Sequence, residues 1–152
     1  MQDEVFLGLG SNLGNREAYL ENAIVLLHAD KYVNVLKKSS AIQTDPMGDI
    51  VQPNFLNMVL EVETSLPPKE LLALCLEIEF ANGRMREEKW GPRTLDIDIL
   101  FFGRELICEY GLEIPHPEVA RRYFALAPMA EIAPQFEHPI TEEPVWAMLQ
   151  RL

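Results

Sequence analysis

Two aspartates stand one residue apart in an otherwise apolar run, LDIDI at 95–99. If this run is a β-strand, its side chains alternate between two faces, so Asp96 and Asp98 project from the same side. Their Cα atoms would lie roughly 6.5–7 Å apart, where two unit charges repel by about 2.4 kcal/mol at an effective dielectric constant of about 20. The pair therefore lies on a solvated face or holds a cation between its carboxylates.

The residues around this pair favour a metal and a phosphate. Mg²⁺ takes oxygen ligands, commonly one or two carboxylates with waters and substrate phosphates, and two such ions can stabilise both sides of a displacement at phosphorus. Several arginines come shortly before the pair, and planar guanidinium groups match phosphate oxygens, so the combination is typical of phosphoryl transfer. Leu100 and Phe102 are predicted to continue the aspartate face, which is therefore not simply polar. A solvated face remains the alternative for the pair taken alone, as solubilising surface charge does for the arginines.

Three further features could bind a ligand, and each has a structural alternative. His116 stands between two prolines, which would orient its side chain, although a lone histidine is more often structural. Phe55 and Asn57 share one face of an alternating strand, where they could stack on a flat heterocycle and hydrogen-bond to it, or form a second hydrophobic layer. The GLGSNLG segment at 8–14 is neither a P-loop nor a G-x-G-x-x-G loop, so its glycines are interpreted as serving the backbone geometry of a strand-to-helix turn.

The composition is that of a single globular domain covering residues 1–152. The chain is 48% hydrophobic, which excludes disorder, and its net charge of −11 argues against a nucleic-acid partner. No apolar stretch approaches the roughly 18 residues of a membrane span, and the N-terminus has no basic segment of a signal peptide. Cys75 and Cys108 have no metal-ligand spacing, and Cys75 falls on a predicted helical core face. We therefore expect a cytoplasmic protein with no membrane partner.

Hydrophobic periodicity predicts an α+β fold with the element order βαββαβ, which is typical of a ferredoxin-like core with an antiparallel sheet. A C-terminal extension follows, with a short strand near 105–107 and helices, the last beginning at about Pro144. Turn and capping residues mark the helix ends. The predicted strands cover 4–10, 32–42, 54–63 and 95–102. The first predicted helix runs from Asn15 to about Asp30, and the second is opened by Ser65 and the prolines at 67 and 68 and closed by Asn82 and Gly83.

Several segments together resemble one enzyme family. GRMREEKWGPRTLDIDILFFG followed by PHPEVARRYFALAPMAEIAP is similar to the 6-hydroxymethyl-7,8-dihydropterin pyrophosphokinases of folate biosynthesis. GSN at 10–12, T-x-P-x-G at 44–48 and QPNFLN at 52–57 resemble the same family in the same order. The resemblance implies transfer of the β,γ-pyrophosphoryl group of ATP to the hydroxymethyl oxygen of the pterin, with release of AMP, on a ferredoxin-like fold.

The resemblance also implies roles for particular residues. Asp96 and Asp98 would bind two Mg²⁺ ions between ATP and the pterin, and would act in catalysis together with Arg84 and Arg93. The implied ATP-binding residues are Arg84, Arg86, Trp90, Arg93, His116 and Arg122. The implied pterin-binding residues are Thr44, Pro46, Met47, Phe55, Asn57 and Phe124, of which the two phenylalanines would enclose the ring system. A lid loop between Gly83 and Arg93 would carry Arg86 and Trp90.

The implied substrates are ATP and 6-hydroxymethyl-7,8-dihydropterin, bound by a monofunctional chain that we expect to be a monomer. Two other classes of protein are compatible with the aspartate pair alone. A nucleotide-sugar glycosyltransferase would share the Mg²⁺ dependence but would not convert a pterin. A ferredoxin-like regulatory domain would bind a small ligand without turnover. Release of AMP from Mg-ATP that depends on the reduced pterin distinguishes the three.

Overall fold

The computed structural model describes residues 4–46, 51–83 and 94–152. The core elements are β1 Val5–Ser11, α1 Arg16–Ala29, β2 Val33–Lys38, β3 Ile42–Thr44, β4 Phe55–Thr64, α2 Pro68–Ala81 and β5 Asp96–Phe102. The C-terminal part comprises β6 Ile107–Glu109, β7 Leu112–Ile114, a 3₁₀ helix at Val119–Arg121, α3 Tyr123–Ile132 and α4 Val145–Gln150. None of the helices in these three described ranges is long and apolar enough to cross a membrane.

The core sheet has the strand order β2-β4-β1-β5, and all of its pairs are antiparallel. The predicted α+β class with a ferredoxin-like core is therefore confirmed. The strand predicted over 32–42 is in fact two strands, since β2 and β3 pair with different parts of β4. Between them, Ser39 donates its N–H to the Val59 carbonyl and its Oγ accepts the Val59 N–H, both at 2.9 Å. The chain between β2 and β3 therefore remains hydrogen-bonded to β4 through Ser39.

Helices α1 and α2 cover one face of the sheet. Asn15 begins α1 as predicted, because its side chain accepts the Ala18 N–H at 3.1 Å. Helix α2 begins directly after Pro67 and is followed by Gly83, whose φ of +79° is readily adopted by glycine. The buried helical side chains are Leu20, Ala23 and Leu27 of α1 and Leu71, Cys75, Ile78 and Glu79 of α2. The predicted core position of Cys75 is confirmed.

Helices α3 and α4 pack on one end of the opposite face. Phe6 and Phe101 of the sheet join Leu126, Met129 and Met148 of these helices in a second buried cluster. Along β1, residues on this face alternate from Phe6 to Gly8 and Gly10. The buried cluster therefore ends at Phe6. Beyond it, this face of β1 has only the two glycines and no side chain.

A β-bulge changes the alternation within β5. The pairing moves from Leu7 with Ile99 to Phe6 with Phe101, which leaves Leu100 as the extra residue. Leu100 and Phe101 both belong to the cluster beneath α3 and α4, while Phe102 belongs to the cluster beneath α1 and α2. The prediction that Phe102 continues the aspartate face is wrong, because one inserted residue exchanges the faces of every residue that follows.

The C-terminal extension differs in detail from its prediction. The short strand expected near 105–107 is instead the first strand of a hairpin, in which Ile107 pairs with Ile114 and Glu109 with Leu112. Gly111 has φ +80° at the turn of this hairpin. The last helix, α4, begins directly after Pro144 as predicted.

Candidate active site

Asp96 and Asp98 begin β5 and lie on the same face of the sheet, as predicted. In the register of the sheet, Asp96 lies opposite Gly10 of β1 and Asp98 lies opposite Gly8. Both aspartates are half-buried, whereas the intervening Ile97 is 4% exposed and points into the core beneath the helices. The alternation predicted from LDIDI therefore places two carboxylates side by side at the end of the sheet that α3 and α4 leave uncovered.

Gly8 and Gly10 form a floor of bare backbone beside the aspartates. They lie inside β1 rather than in the strand-to-helix turn, where Gly14 has φ +75°. Gly10 also pairs with Asn57 of β4, and a Cβ on Gly10 would lie 2.7 Å from Asn57 Oδ1. A side chain at this position would require Asn57 to move, so the spacing of the two glycines is what opens the cleft between β4 and β5.

Asn57 lines the far side of this cleft, and Thr44 and Phe55 lie next to it. Asn57 is 6% exposed, and its Nδ2 donates to Thr44 Oγ1 at 2.6 Å. Thr44 pairs with Phe55 in the ladder between β3 and β4, so these two predicted pterin residues are adjacent. Helix α3 contributes Phe124 to the wall of the same cleft, which Asp96 and Asp98 also line.

Asn12 is a residue of the site region to which the sequence analysis assigned no role. It is 1% exposed, and its Nδ2 donates to Gln52 Oε1 at 2.7 Å and to the Pro53 carbonyl at 2.9 Å. Arg16 adds a bond of 3.0 Å to the Asn54 carbonyl. The GSN and QPNFLN segments are therefore in direct contact, and this contact holds the chain that leads into Phe55. The only sequence signal for it was the joint resemblance of the two segments to one family.

His116 lies close to the aspartates with its ring held in one orientation. Its backbone N–H donates to the Leu100 carbonyl at 2.9 Å, and its Nδ1 accepts the Glu118 N–H at 3.1 Å. Burial, followed by the positive charge of Arg122, lowers the pKa of His116 to about 4, against the opposing effects of Asp96 and Glu118. The ring is therefore neutral at physiological pH, and its remaining hydrogen is on Nε2.

Arg122 directly precedes α3 and lines the same cleft as the aspartates. Its guanidinium carbon lies 5.3 Å from the centroid of the Phe124 ring, within the range of a cation–π contact. Its Nε is buried and has no hydrogen-bond partner among the described residues. Because a buried donor left without an acceptor is unfavourable by about 1–3 kcal/mol, this atom is suited to an acceptor on a ligand.

A second and larger cleft adjoins the first. It has a volume of about 250 Å³ and lies between β5, α2 and the hairpin of β6 and β7. Its apolar wall includes Leu72 and Leu112, and its polar edge includes Asp98 and His116. Asp98 also lines the narrower cleft beside Asn57 and Phe124, which has a volume of about 30 Å³. The aspartate pair thus lies where two clefts meet, so carboxylate oxygens could act on two ligands at once.

The structure brings most of the predicted site residues to this region. Those it describes there are Asp96, Asp98, His116, Arg122, Thr44, Phe55, Asn57 and Phe124. Pro46 follows β3 and is half-buried. Arg84, Arg86, Trp90, Arg93 and Met47 lie outside the described residues, and so does the lid loop predicted between Gly83 and Arg93.

Comparison with known proteins gives matches over most of the chain. The sequence profile of the family described as 7,8-dihydro-6-hydroxymethylpterin-pyrophosphokinase (HPPK) matches residues 6–134. A 2-amino-4-hydroxy-6-hydroxymethyldihydropteridine pyrophosphokinase of Bacillus subtilis (strain 168) is 50% identical over 141 residues, which cover 93% of this chain and 84% of that protein. The protein of the same name from Aquifex aeolicus (strain VF5) is 42% identical over 141 residues, covering 93% of this chain and 87% of that protein.

Solved structures agree on the fold. The crystal structure of wild-type Plasmodium falciparum HPPK-DHPS matches 99% of this chain with a TM-score of 0.76 at 15% identity. This chain spans 45% of the length of that protein, so the likeness concerns the fold of one part of it. The match of the family profile, together with relatives of 42% and 50% identity along nearly the whole chain, shows that this protein belongs to the 7,8-dihydro-6-hydroxymethylpterin-pyrophosphokinase family.

Proposed function

We infer that this chain is an ATP-dependent pyrophosphokinase of folate biosynthesis. It transfers the β,γ-pyrophosphoryl group of ATP to the hydroxymethyl oxygen of 6-hydroxymethyl-7,8-dihydropterin and releases AMP. The observation that carries this inference within the molecule is the position of Asp98, which lines both clefts. A nucleotide in one cleft and a pterin in the other would meet at the aspartate pair.

We propose that Asp96 and Asp98 bind two Mg²⁺ ions together with the phosphates of ATP. Mg²⁺ commonly takes one or two carboxylates and completes its coordination with waters and substrate phosphates, so two half-buried aspartates are a suitable donor set. Residues 4–46, 51–83 and 94–152 contain no cluster of three acidic, histidine or cysteine ligands, and a site shared with a triphosphate needs none. When bound, the ions would neutralise phosphate charge and lower the pKa of the attacking hydroxyl.

We assign ATP to the larger cleft beside β5. Leu72 and Leu112 offer an apolar wall for a base, while His116 and Asp98 lie at the polar edge. The neutral His116 ring would donate from Nε2 to an oxygen of the nucleotide. Arg122, which lines the narrower cleft, would supply positive charge and the buried Nε donor to the phosphates where the two clefts meet. Arg84, Arg86, Trp90 and Arg93, proposed from the family resemblance, would complete the ATP site.

We assign the pterin to the narrower cleft on the glycine floor. The Asn57–Thr44 bond leaves Asn57 Oδ1 to accept and the Thr44 hydroxyl to donate, which complements the amide-like edge of a pterin. Phe55 and Phe124 would stack on the two faces of the ring system, with the backbone at Pro46 and Met47 along its rim. The volume of about 30 Å³ requires these walls to separate when the pterin enters.

In the proposed reaction the pterin hydroxyl oxygen forms a bond to the β-phosphorus in line with the bond that breaks. That bond joins the β-phosphorus to the oxygen bridging it to the α-phosphate, and the oxygen leaves with AMP. The hydroxyl proton is released to solvent. Arg122 would stabilise charge on the phosphates, and the two clefts would hold the reacting atoms in position; in phosphoryl transfer such positioning and charge stabilisation account for most of the catalysis.

We further propose that residues 1–152 form one domain that acts as a cytoplasmic monomer. Every described site residue comes from one chain, so no second copy is required. Cys75 and Cys108 are both free thiols, as is usual in a reducing compartment. Size-exclusion chromatography with light scattering would test the monomer, since a dimer at micromolar protein concentration would contradict it.

The function is tested by the nucleotide product. Purified protein with Mg-ATP and the reduced hydroxymethylpterin should form AMP and pyrophosphorylated pterin in equal amounts, measured by mass spectrometry. Omission of the pterin is the control and should abolish AMP formation. ADP as the product would indicate a one-phosphoryl kinase, and AMP formed without the pterin would indicate a different acceptor; each result would contradict the inference.

A further inference from the structure

Glu79 is a buried carboxylate to which neither the family resemblance nor the proposed mechanism assigns a role. It lies on the inner face of α2 and is 2% exposed, among the apolar side chains of Leu71, Cys75 and Ile78. A carboxylate in such surroundings is unfavourable by several kcal/mol unless hydrogen bonds or charges compensate. Its retention in this core position therefore calls for a specific contact.

One such contact is with the backbone between the two aspartates. Glu79 Oε2 accepts the N–H of Ile97 at 2.8 Å. Strand β5 is the last strand of the described sheet and pairs on its inner side with β1, so the Ile97 N–H points outward, where a further strand would pair. Glu79 takes the place of that missing strand at the one residue that separates Asp96 from Asp98.

Cys75 of α2 and Ile97 of β5 lie in the same buried cluster, so the helix packs against the strand that carries the aspartates. Cys75 lies one helical turn before Glu79 on the same face of α2. Burial first, and then the negative charges of Glu79 and Asp98, raise the pKa of the Cys75 thiol to about 12. The helix and the aspartate strand therefore meet at this point, with Glu79 at the outer edge of β5 beside Ile97.

We propose that Glu79 is a positioning residue for the Asp96/Asp98 pair, acting through its hydrogen bond to Ile97. The bond holds the three residues extended, which keeps both carboxylates on one face at a constant separation. In this role Glu79 acts through the backbone of β5. The inference rests on the proposed role of the pair in binding Mg²⁺, because only then does the separation of the carboxylates matter for turnover.

Two substitutions separate the hydrogen bond from the charge. Glu79→Gln keeps an acceptor oxygen in the same place and removes the charge. Glu79→Asp keeps the charge and withdraws the oxygens by one carbon–carbon bond, about 1.5 Å, out of reach of Ile97. Glu77→Asp, at an exposed position on the same helix, is the matched control for the lower helix propensity of aspartate.

The proposal predicts a loss of activity in Glu79→Asp and little change in Glu79→Gln. Glu79→Asp should lower kcat at saturating substrates by about tenfold or more and raise the half-saturating Mg²⁺ concentration, as expected for loss of a buried hydrogen bond. Glu79→Gln and Glu77→Asp should stay within about threefold of the unaltered protein. In the metal-free protein, amide exchange at Ile97 measured by NMR should be about tenfold faster in Glu79→Asp and little changed in Glu79→Gln.

Three results would overturn the proposal. The first is unaltered kcat, Mg²⁺ dependence and Ile97 exchange in Glu79→Asp. The second is an equal loss in Glu79→Gln, because that variant keeps the acceptor oxygen and the loss would then not follow the hydrogen bond. The third is measured on the unaltered protein and so does not depend on whether a variant folds. It is an exchange rate of the Ile97 amide as fast as that of an unprotected amide. If the aspartates do not bind Mg²⁺, Asp96→Asn will show an unaltered Mg²⁺ dependence. The exchange of the Ile97 amide still tests the hydrogen bond from Glu79 in that case.

Discussion

Gly10 and Asn57 are neighbours across β1 and β4, so close that a Cβ on Gly10 would lie 2.7 Å from Asn57 Oδ1. On its other side, Gly10 pairs with Asp96. The backbone of one glycine therefore separates the amide assigned to the pterin from a carboxylate assigned to the metal. A flat ring could rest on this backbone with its edge toward Asn57 and its substituent toward the aspartates.

Gly10→Ala should weaken pterin binding selectively. The added Cβ forces the Asn57 amide to turn and to lose its bond to Thr44, so we expect the KM for the pterin to rise about tenfold while the KM for ATP stays within about twofold. Gln43→Ala, at an exposed residue of β3, is the control and should leave the KM for the pterin unchanged. Steady-state kinetics measure both; equal effects of the two alanines on the pterin KM would contradict the assignment.

Phe124→Ala should weaken pterin binding through loss of stacking. Stacking of a base on an aromatic side chain is worth about 1–3 kcal/mol, so the Kd of the pterin measured by calorimetry should rise between about 5-fold and 150-fold. Tyr123→Ala, at the adjacent residue of α3 that is 58% exposed, is the control and should leave this Kd unchanged. An unaltered pterin Kd in Phe124→Ala would place the pterin elsewhere.

Asp96→Asn should separate catalysis from stability. An amide is a much poorer Mg²⁺ ligand, so kcat should fall about a thousandfold, equivalent to about 4 kcal/mol. The metal-free protein should be equally or slightly more stable to urea at an unchanged m-value, because at most about 2 kcal/mol of repulsion with Asp98 is relieved. Glu21→Gln on the exposed side of α1 is the control. Near-normal turnover of Asp96→Asn at saturating Mg-ATP would reject it as a metal ligand.

The pKa of His116 should respond to Arg122. Arg122→Ala removes a charge that lowers it, so an NMR titration should show the pKa rising from about 4 but staying below 6.5, because burial is the larger cause. Arg121→Ala, at an exposed residue paired with Glu118, is the control and should change it less. No change in Arg122→Ala would mean that the guanidinium does not act on the ring.

The lowered pKa of His116 also predicts how the stability of the protein changes with pH. Between pH 6.5 and about 4 the unfolded chain binds a proton at His116 that the folded protein does not. The contribution of His116 to stability is therefore complete above pH 6.5 and decreases as the pH falls toward 4. His116→Gln should make the urea midpoint less sensitive to pH across this window; an unaltered pH dependence would contradict the lowered pKa.

The local pattern of the sequence determined the elements and the direction of the aspartates. Alternation in LDIDI set Asp96 and Asp98 on one face, and Asn15, Pro67 and Gly83 marked helix ends, because these features depend on residues within one or two turns of chain. Resemblance of the motifs to one enzyme family pointed to the same residues.

Only the tertiary structure decided how these residues form two clefts. The pairing of β1 with both β4 and β5 made Gly8 and Gly10 a floor, and the bulge at Leu100 moved Phe102 to the other face. The contact of Glu79 with Ile97 and the lowered pKa of His116 likewise depend on neighbours distant along the chain. Register between strands, burial and the approach of a helix to a strand arise from packing of the whole chain, which the periodicity of one segment does not contain.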